Sequence, residues 1–149
     1  MVHIERTALV LHAASRMHAL VADIDAYPRF LPWCSATASR PISRNEVEAT
    51  LQIDFRGVRQ RFTTRNRTLD DLSIELRLVD GPFKSLEGLW SFSPLKNDAC
   101  KVRLVLSYQL ASGLLERVVG PLFHHIAGTL VEAFVRRADN LGDPPPDAR

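Results

Sequence analysis

Histidine side chains are the residues in this sequence whose chemistry could support a metal site or general acid–base catalysis. The five histidines are His3, His12, His18, His124 and His125. None of them has an inward carboxylate or a nucleophile at a recognisable spacing, and adjacent helical residues such as His124 and His125 point in different directions. The sequence therefore predicts no catalytic residues and no metal site. A cyclase-type enzyme that acts through cavity shape and a single acid stays an alternative.

The two cysteines, Cys34 and Cys100, are far apart and belong to no Cys-x-x-Cys or Cys/His ligand spacing. A structural zinc site is therefore not expected. Two reduced and partly buried thiols are typical of a cytosolic protein. A disulfide between the two cysteines is the alternative that the sequence leaves open.

A row of neutral polar side chains offers a different chemistry, the binding of a ligand that carries hydrogen-bond acceptors. From Arg59 to Thr68 the arginines occupy odd positions, so alternation along a strand sends the even positions to the inner face. The inner residues are Gln60, Phe62, Thr64, Asn66 and Thr68. Buried polar groups need partners, and the carbonyl and methoxy oxygens of a quinone head would accept from such donors. Hydrogen bonds among these side chains or to the backbone are the alternative.

The outer face of the same strand is basic and carries Arg59, Arg61, Arg65 and Arg67. Such an arginine stripe suits contact with phosphates, either of ribosomal RNA or of an anionic membrane surface. The alternative is a solvated strand whose charges pair across a hairpin. Asp54 is then expected to pair with Arg59. Glu48 is likewise expected to pair with Arg65.

Composition limits the classes of partner and location. The 149 residues carry 19 basic and 17 acidic side chains, a net charge of +2, which is too balanced to indicate nucleic-acid binding by itself. The N-terminal stretch is charged where a signal peptide would be apolar, and no apolar run approaches the roughly 18 residues of a membrane span. A cytoplasmic protein is expected, with peripheral contact to the inner membrane as a further option.

The residues described above need a scaffold, and the middle of the chain is patterned as antiparallel strands. Apolar and polar residues alternate over 47–55, 72–78 and 100–110, which predicts half-buried strands with one wet face. Arg56-Gly57 suits a two-residue hairpin turn, because glycine tolerates positive φ. A further strand is predicted from Leu86 to Phe92, closed by Pro94.

The first third of the chain predicts a strand and two short helical segments. His3 to His12 is rich in β-branched and apolar residues, as a strand would be. Ser15 is expected to cap a short helix that buries Met17 and Val21. Prolines 28 and 32 then bracket a turn or very short helix over 27–31.

Helical spacing replaces alternation at Leu114 and continues to Leu141, about 28 residues or roughly 42 Å. The stretch Gly120-Pro121 predicts a break, because proline fits best in the first turn of a helix. Residues 142–149 include three consecutive prolines and are expected to form a disordered tail that Gly142 separates from the helix.

Four segments are similar to one known family, in the same order and spacing. They are Asp25 to Cys34, Phe62 to Asn66, Leu78 to Phe92, and Ala99 to Val102, of which the first contains Tyr-Pro-Arg-Phe-Leu-Pro-Trp-Cys. They resemble the coenzyme Q-binding, polyketide-cyclase-like family of the START-like, helix-grip superfamily. The resemblance covers about residues 3–141. It implies an α+β fold, a curved antiparallel sheet wrapped around a long C-terminal helix with an apolar cavity, in one domain over 1–141.

The resemblance also implies function. Members bind ubiquinone or a related lipid, in support of quinone biosynthesis and respiration, and the family includes a bacterial toxin that binds the large ribosomal subunit and blocks subunit joining. A non-catalytic carrier of a quinone, with no covalent cofactor, is the leading hypothesis. Ribosome binding is the second, and a polyketide cyclase-like enzyme is the third. Oligomeric state does not follow from the sequence.

The expected ligand site combines a cavity wall with an entrance rim. Two proline-bearing loops are expected to form the rim, where Phe30, Leu31, Trp33 and Phe83 would touch ligand or membrane. In the alternative, Trp33 and Phe83 seal one end of the core. The remaining expected wall residues are Gln60, Phe62, Thr64, Asn66, Leu76, Leu86, Trp90, Leu104, Leu122, Phe123, Ile126 and Leu130.

Overall fold

Seven antiparallel strands form one curved sheet in the computed structural model, which describes residues 1–142. The strand order across the sheet is β1-β7-β6-β5-β4-β3-β2, so β1 and β2 form the two edges. The strands are β1 (Val2–Val10), β2 (Cys34–Ser43), β3 (Glu46–Phe55), β4 (Val58–Thr68), β5 (Ile74–Asp80), β6 (Phe83–Lys96) and β7 (Ala99–Leu110). The predicted α+β architecture is confirmed.

Helical segments connect and cover this sheet. They are α1 (Ala14–Ala22), a 3₁₀ helix (Ile24–Arg29), α2 (Gly113–Val118) and α3 (Gly120–Leu141). The predicted break at Gly120-Pro121 is confirmed, because Pro121 lies in the first turn of α3. Gly142 ends α3 with a φ of 67°, and its N–H donates to the carbonyl groups of Ala138 and Asp139. The tail prediction for 143–149 lies outside the described residues.

The predicted cap of the first helix was wrong. Ala13 occupies the N-cap position of α1 with an extended backbone, and no side chain accepts from the first turn. Ser15 lies inside the helix instead. The helix is positioned by its buried side, on which Met17 and Val21 are 0% and 2% exposed. Burial of this apolar face stabilises a short helix that has no cap.

Four strands differ from their predictions. β1 ends at Val10 and not at His12, and β5 begins at Ile74 because Leu72 lies in the preceding turn with a φ of 70°. β2 was not predicted at all, because most of its residues are exposed and Pro41 argues against a central strand. Its place at the sheet edge explains both features. β6 was predicted to end before Pro94 but runs to Lys96, with a register irregularity between Pro94 and Lys96 where the strand pairs with β7.

The β3–β4 hairpin follows the prediction in register and turn. Arg56 and Gly57 both have positive φ, 50° and 81°, as a two-residue turn of this type requires. The register then places Asp54 opposite Arg59 and Glu48 opposite Arg65. The polar row and the arginine stripe of β4 therefore lie on opposite faces of the sheet, as alternation predicts.

The core lies between the concave face of the sheet and one face of α3. From α3, Phe123, Ile126, Ala127, Val131 and Phe134 are buried at the spacing of a single helical face. None of the helices within residues 1–142 is long and apolar enough to cross a membrane.

Candidate functional site: an apolar cavity and a neighbouring groove

A cavity of about 320 Å³ lies between the sheet and α3. This volume is at the small end of the range for small-molecule sites. The sheet contributes Leu51, Phe62, Thr64, Asn66, Thr68, Ile74, Leu76, Leu86, Trp90 and Leu106, and α3 contributes Phe123, Ile126, Ala127 and Leu130. The structure therefore confirms the predicted cavity between the sheet and the long helix.

The mouth of the cavity lies at the tip of the β2–β3 hairpin. The hairpin contributes Ser43, Arg44, Asn45 and Glu46 to the wall, and the first three of these are exposed. Thr68 at the end of β4 and Ala22 at the end of α1 complete this end. The charged and polar residues of the wall are thus concentrated where the cavity meets solvent.

Two polar side chains of β4 lie just inside the mouth. The hydroxyl of Thr64, a buried residue, donates to Oδ1 of Asn66 at 2.7 Å. The N–H groups of the Asn66 amide donate to no group within residues 1–142, so both are free for a ligand. This arrangement combines the two alternatives from the sequence, because the polar row is partly satisfied internally and still presents donors.

Aromatic side chains close the opposite end of the cavity. Phe123 lies edge-to-face with Tyr108 and Phe83, at ring-centroid distances of 4.7 and 4.8 Å, and Phe62 is 5.8 Å from Phe83. Gly81 permits this closure, because its φ is 149° and an added Cβ would lie 2.6 Å from the Cβ of Phe62. Phe83 is therefore a plug in the core and does not form an entrance rim.

A second concavity, of about 300 Å³, lies on the outside of α3 and is called the outer groove below. It is lined by Phe30, Leu31, Pro32, Trp33, Phe55, Leu122, His125, Ile126, Thr129, Glu132, Ala133, Arg136, Arg137 and Asn140. The guanidinium group of Arg137 lies 5.0 Å from the ring centre of Phe30. Trp33 and Ile126 line both the groove and the cavity.

The residues predicted for the site fall into three groups. Phe62, Thr64, Asn66, Leu76, Leu86, Trp90, Phe123, Ile126, Leu130 and Trp33 line the cavity. Phe30, Leu31 and Leu122 line the outer groove and not the cavity. Gln60, Phe83 and Leu104 line neither of the two concavities. Gln60 lies nearer the Arg56-Gly57 turn than Phe62 does, and Leu104 is buried beside its strand partner Trp90.

Sequence reasoning missed the mouth itself. The wall residues Pro41, Ser43, Arg44 and Asn45 belong to a strand and a turn that the sequence pattern did not predict. Val21 was expected on the buried side of a short helix and Tyr27 in a turn, and the structure places both in the cavity wall together with Ile24. The turn residues Ser43, Arg44 and Asn45 before the alternating run of β3 were the available signal for a hairpin at this point.

Tyr27 shows how the wall stays electrically neutral. Its hydroxyl donates to the carbonyl oxygen of Val21 at 2.5 Å. Burial raises the pKa of this phenol well above its ordinary value. The cavity therefore meets an uncharged, hydrogen-bonded ring on this side.

The two cysteines are buried and free. Burial raises the pKa of the Cys34 thiol to about 11, and it also raises the pKa of Cys100. Since the thiolate is the nucleophile, both side chains behave as small apolar groups near neutral pH. Within residues 1–142 no cluster of three or more His, Cys, Asp or Glu side chains is arranged to hold a metal ion.

The arginine stripe is exposed at all four predicted positions. Arg59 pairs with Asp54 at 3.2 Å, as predicted. The second predicted pair is wrong, because Glu48 instead binds Arg40 of β2 at 3.1 Å. Among the described residues, Arg61, Arg65 and Arg67 have no carboxylate within 4.0 Å. Three cationic side chains of β4 are thus available to a partner.

An antiparallel sheet that grips a long C-terminal helix around an apolar cavity defines a START-like, helix-grip protein. The chain belongs to the polyketide cyclase / dehydrase and lipid transport family, whose model matches residues 10–135. Every strand and helix described above lies wholly or partly within that match.

Bacterial and eukaryotic proteins are similar to this chain in sequence. The ribosome association toxin RatA of Pseudomonas aeruginosa is 42% identical over 139 residues, which is 93% of this chain and 96% of that protein. The persistence and stress-resistance toxin PasT of Escherichia coli is 39% identical, covering 95% of this chain and 89% of that protein. The mitochondrial coenzyme Q-binding protein COQ10 homolog B of Xenopus laevis is 25% identical, covering 85% and 53% respectively.

Solved structures share the fold. TTHA0849 from Thermus thermophilus has a TM-score of 0.81 at 18% identity, covering 95% of this chain and all of that one. The Zhui aromatase/cyclase from Streptomyces has a TM-score of 0.80 at 16% identity, covering 93% of each chain. The 18 kDa protein CC1736 from Caulobacter crescentus has a TM-score of 0.73 at 32% identity, covering 95% and 98%. The first two, at such low identity, establish the architecture alone.

Proposed function

We propose that the protein binds a hydrophobic small molecule with a neutral polar head, of the quinone class, and carries it in the cavity between the sheet and α3. The observation that carries this proposal is the polarity of the cavity wall. Donors and charges lie at the mouth, and the interior wall is apolar or aromatic. This is the distribution that an amphiphile with one polar end requires.

The head is proposed to lie against Asn66 and Thr64. A quinone carbonyl accepts hydrogen bonds but cannot donate them, and the free N–H bonds of Asn66 donate. The neutral wall beside Tyr27 suits an uncharged ring. The name of the Xenopus relative, a coenzyme Q-binding protein, supports the same ligand class. Such a carrier would serve quinone biosynthesis and respiratory electron transport without catalysing a reaction and without a covalent cofactor.

A test begins with mass spectrometry of lipids extracted from the purified protein, in which a quinone is expected. Asn66→Leu then removes the free donors while preserving approximate volume. It is expected to weaken quinone binding in equilibrium dialysis by about three- to tenfold, the effect of one neutral hydrogen bond. Gln52→Leu is the matched control, because Gln52 is exposed on the outer face of β3. A protein that neither co-purifies with nor binds a quinone would refute the carrier function.

The second candidate is association with the large ribosomal subunit, which would inhibit subunit joining. Two observations favour it. The RatA relative of Pseudomonas carries ribosome association in its name at 42% identity. In addition, the arginine stripe provides exposed cations that suit the phosphates of ribosomal RNA, and equally those of an anionic membrane.

This second candidate is tested by reversing two charges of the stripe. Arg61→Glu combined with Arg65→Glu is expected to abolish co-sedimentation with large ribosomal subunits at moderate salt, and to leave quinone binding unchanged. The control is Lys96→Glu with Lys101→Glu, which changes the net charge equally at exposed positions far along the sheet. Co-sedimentation with anionic vesicles is measured in parallel, since the vesicle surface is a second polyanion. Ribosome association that persists in the Arg61/Arg65 variant would show that the stripe is only a solvated face.

A further inference from the structure

The size of the cavity limits what it can enclose. Its volume of about 320 Å³ is enough for one compact, drug-sized molecule at most. A lipid that carries a long isoprenoid or alkyl tail is larger than such a molecule. If the cavity holds the polar head, the remainder of a long tail must leave the cavity through an opening or a movable part of the wall.

The polarity of the wall orients the ligand. The polar residues Asn66 and Thr68 lie at the mouth, so a head bound there directs the tail inward along β4. The six residue steps from Thr68 to Phe62 span about 20 Å of strand. Beyond them, Phe83 and Phe123 close the core, and the tail reaches the wall that Trp33 and Ile126 share with the outer groove.

Two buried residues form the wall that the cavity and the groove share. Trp33 is 8% exposed and Ile126 is 3% exposed, and each contacts the cavity on one side and the groove on the other. The backbone of Trp33 is fixed, because its carbonyl accepts from the N–H of Asp54 at 3.0 Å. No side-chain hydrogen bond to any of residues 1–142 holds its indole ring. Packing alone therefore fixes the ring, and a rotation about its side-chain bonds would connect the two spaces.

The floor of the outer groove suits an apolar chain. Phe30, Phe55 and Leu122 are only partly buried, and they extend the apolar surface of Trp33 outside the cavity. The α3 side of the groove is polar along its length, with His125, Thr129, Glu132, Arg136, Arg137 and Asn140. The apolar part of the groove thus borders the cavity at Trp33 and Ile126.

We infer that the outer groove receives the tail of a long-chain lipid whose head lies in the cavity, with Trp33 as the movable partition between them. The inference rests on the proposed quinone-carrier function and adds where the tail of the ligand lies. This occupant is favoured because the cavity and the groove share Trp33 and Ile126 as wall residues.

The test compares two probes, the dimethoxy-methyl-benzoquinone ring without a tail and the same ring with a tail of four isoprene units. Leu122→Glu places a charge on the groove floor. It is expected to weaken binding of the tailed quinone by about tenfold or more, the effect of leaving two methylene groups in water. Binding of the ring alone should change less than about twofold, since Leu122 does not line the cavity. Leu114→Glu, at an exposed position of α2 outside both spaces, is the matched control.

Phe55→Glu provides a second variant from a different element, and the same selective loss of the tailed quinone is expected. Circular dichroism confirms that each variant is folded. If the tailed quinone binds both groove variants as tightly as the unmodified protein, the tail leaves through the mouth and the inference is overturned while the carrier function stands. If the unmodified protein binds neither probe, the carrier function fails, and the inference fails with it.

Discussion

At the scale of single residues, the cavity depends on side chains that are polar and yet neutral. Tyr27 contributes a ring to the wall and satisfies its hydroxyl on the Val21 carbonyl. Thr64 satisfies its hydroxyl on Asn66 and so leaves the amide donors of Asn66 to a ligand. Each group avoids the cost of an unpaired buried dipole, and none introduces a charge into the interior.

Tyr27→Phe tests the structural half of this arrangement. The substitution keeps the ring, which lies 5.3 Å from Phe134, and removes the donor to the Val21 carbonyl. The free energy of unfolding in urea is expected to fall by about 1–3 kcal/mol, because a buried carbonyl loses its partner. Tyr108→Phe is the control, since the hydroxyl of Tyr108 makes no hydrogen bond within residues 1–142. Equal losses in the two variants would contradict the role given to the Tyr27 hydroxyl.

At the scale of elements, the β3–β4 hairpin determines which face of β4 lines the cavity. A shift of one residue in its register would turn the arginines inward and the polar row outward. The two-residue turn at Arg56-Gly57 fixes this register, and both of its residues have positive φ. The turn therefore keeps the polar row on the cavity face of β4 and the arginine stripe on its outer face.

Substitutions at the turn are expected to change stability in opposite directions. Gly57→Ala meets no atom within 4 Å, so its cost is conformational and is expected to be about 1 kcal/mol. Arg56→Asn is expected to stabilise the protein by several tenths of a kcal/mol, because asparagine tolerates the left-handed region better than arginine does. Urea unfolding measures both changes. Stabilisation by Gly57→Ala would show that the turn does not hold its left-handed conformation in solution.

Local patterns predicted the central elements and failed at the periphery. Alternation predicted β3, β4, β5 and β7, because successive side chains of these strands face opposite sides of the sheet. Helical spacing with Gly120-Pro121 predicted the division of α2 from α3, of which α3 buries a regular apolar face. β2 buries almost nothing and owes its place to pairing with β3, which no local pattern records. Because β2 and the turn after it form the mouth, the wall of the cavity was predictable and its entrance was not.

The sequence did not predict the division between the cavity and the outer groove, for a related reason. Leu122 and Phe123 are neighbours in one apolar stripe, yet one lines the groove and the other the cavity. A stripe wider than one contact surface predicts that its residues are buried, but it does not identify the surface against which each of them packs. Trp33 and Ile126 lie between the two spaces.

At the scale of the whole molecule, two candidate binding surfaces lie on opposite faces of one strand. The inner face of β4 lines the cavity, and the outer face carries the arginine stripe. A ligand inside and a polyanion outside would therefore contact different side chains of the same backbone. This separation makes the carrier and ribosome-association functions independently testable, and one protein with this structure has room for both.

A cavity also costs stability, because the side chains around an empty space lose packing contacts. Ala127 of α3 lines this space and is 1% exposed. Ala127→Leu is expected to fill part of the cavity, so that the midpoint of thermal unfolding without ligand stays equal or rises. The same variant should lose the stabilisation by a bound quinone, which is about 2.7 kcal/mol at a free concentration one hundred times Kd.

Ala138→Leu is the matched control for this trade-off between stability and ligand binding. Ala138 lies on the same helix at 0% exposure and lines neither concavity. Its enlargement overpacks a filled core and is expected to cost about 1–3 kcal/mol. Thermal unfolding of both variants, with and without the tailless quinone, gives the comparison. If Ala127→Leu keeps the full ligand-induced shift, the ligand does not occupy the space beside α3. If it destabilises the protein as much as Ala138→Leu does, the space is already filled in solution.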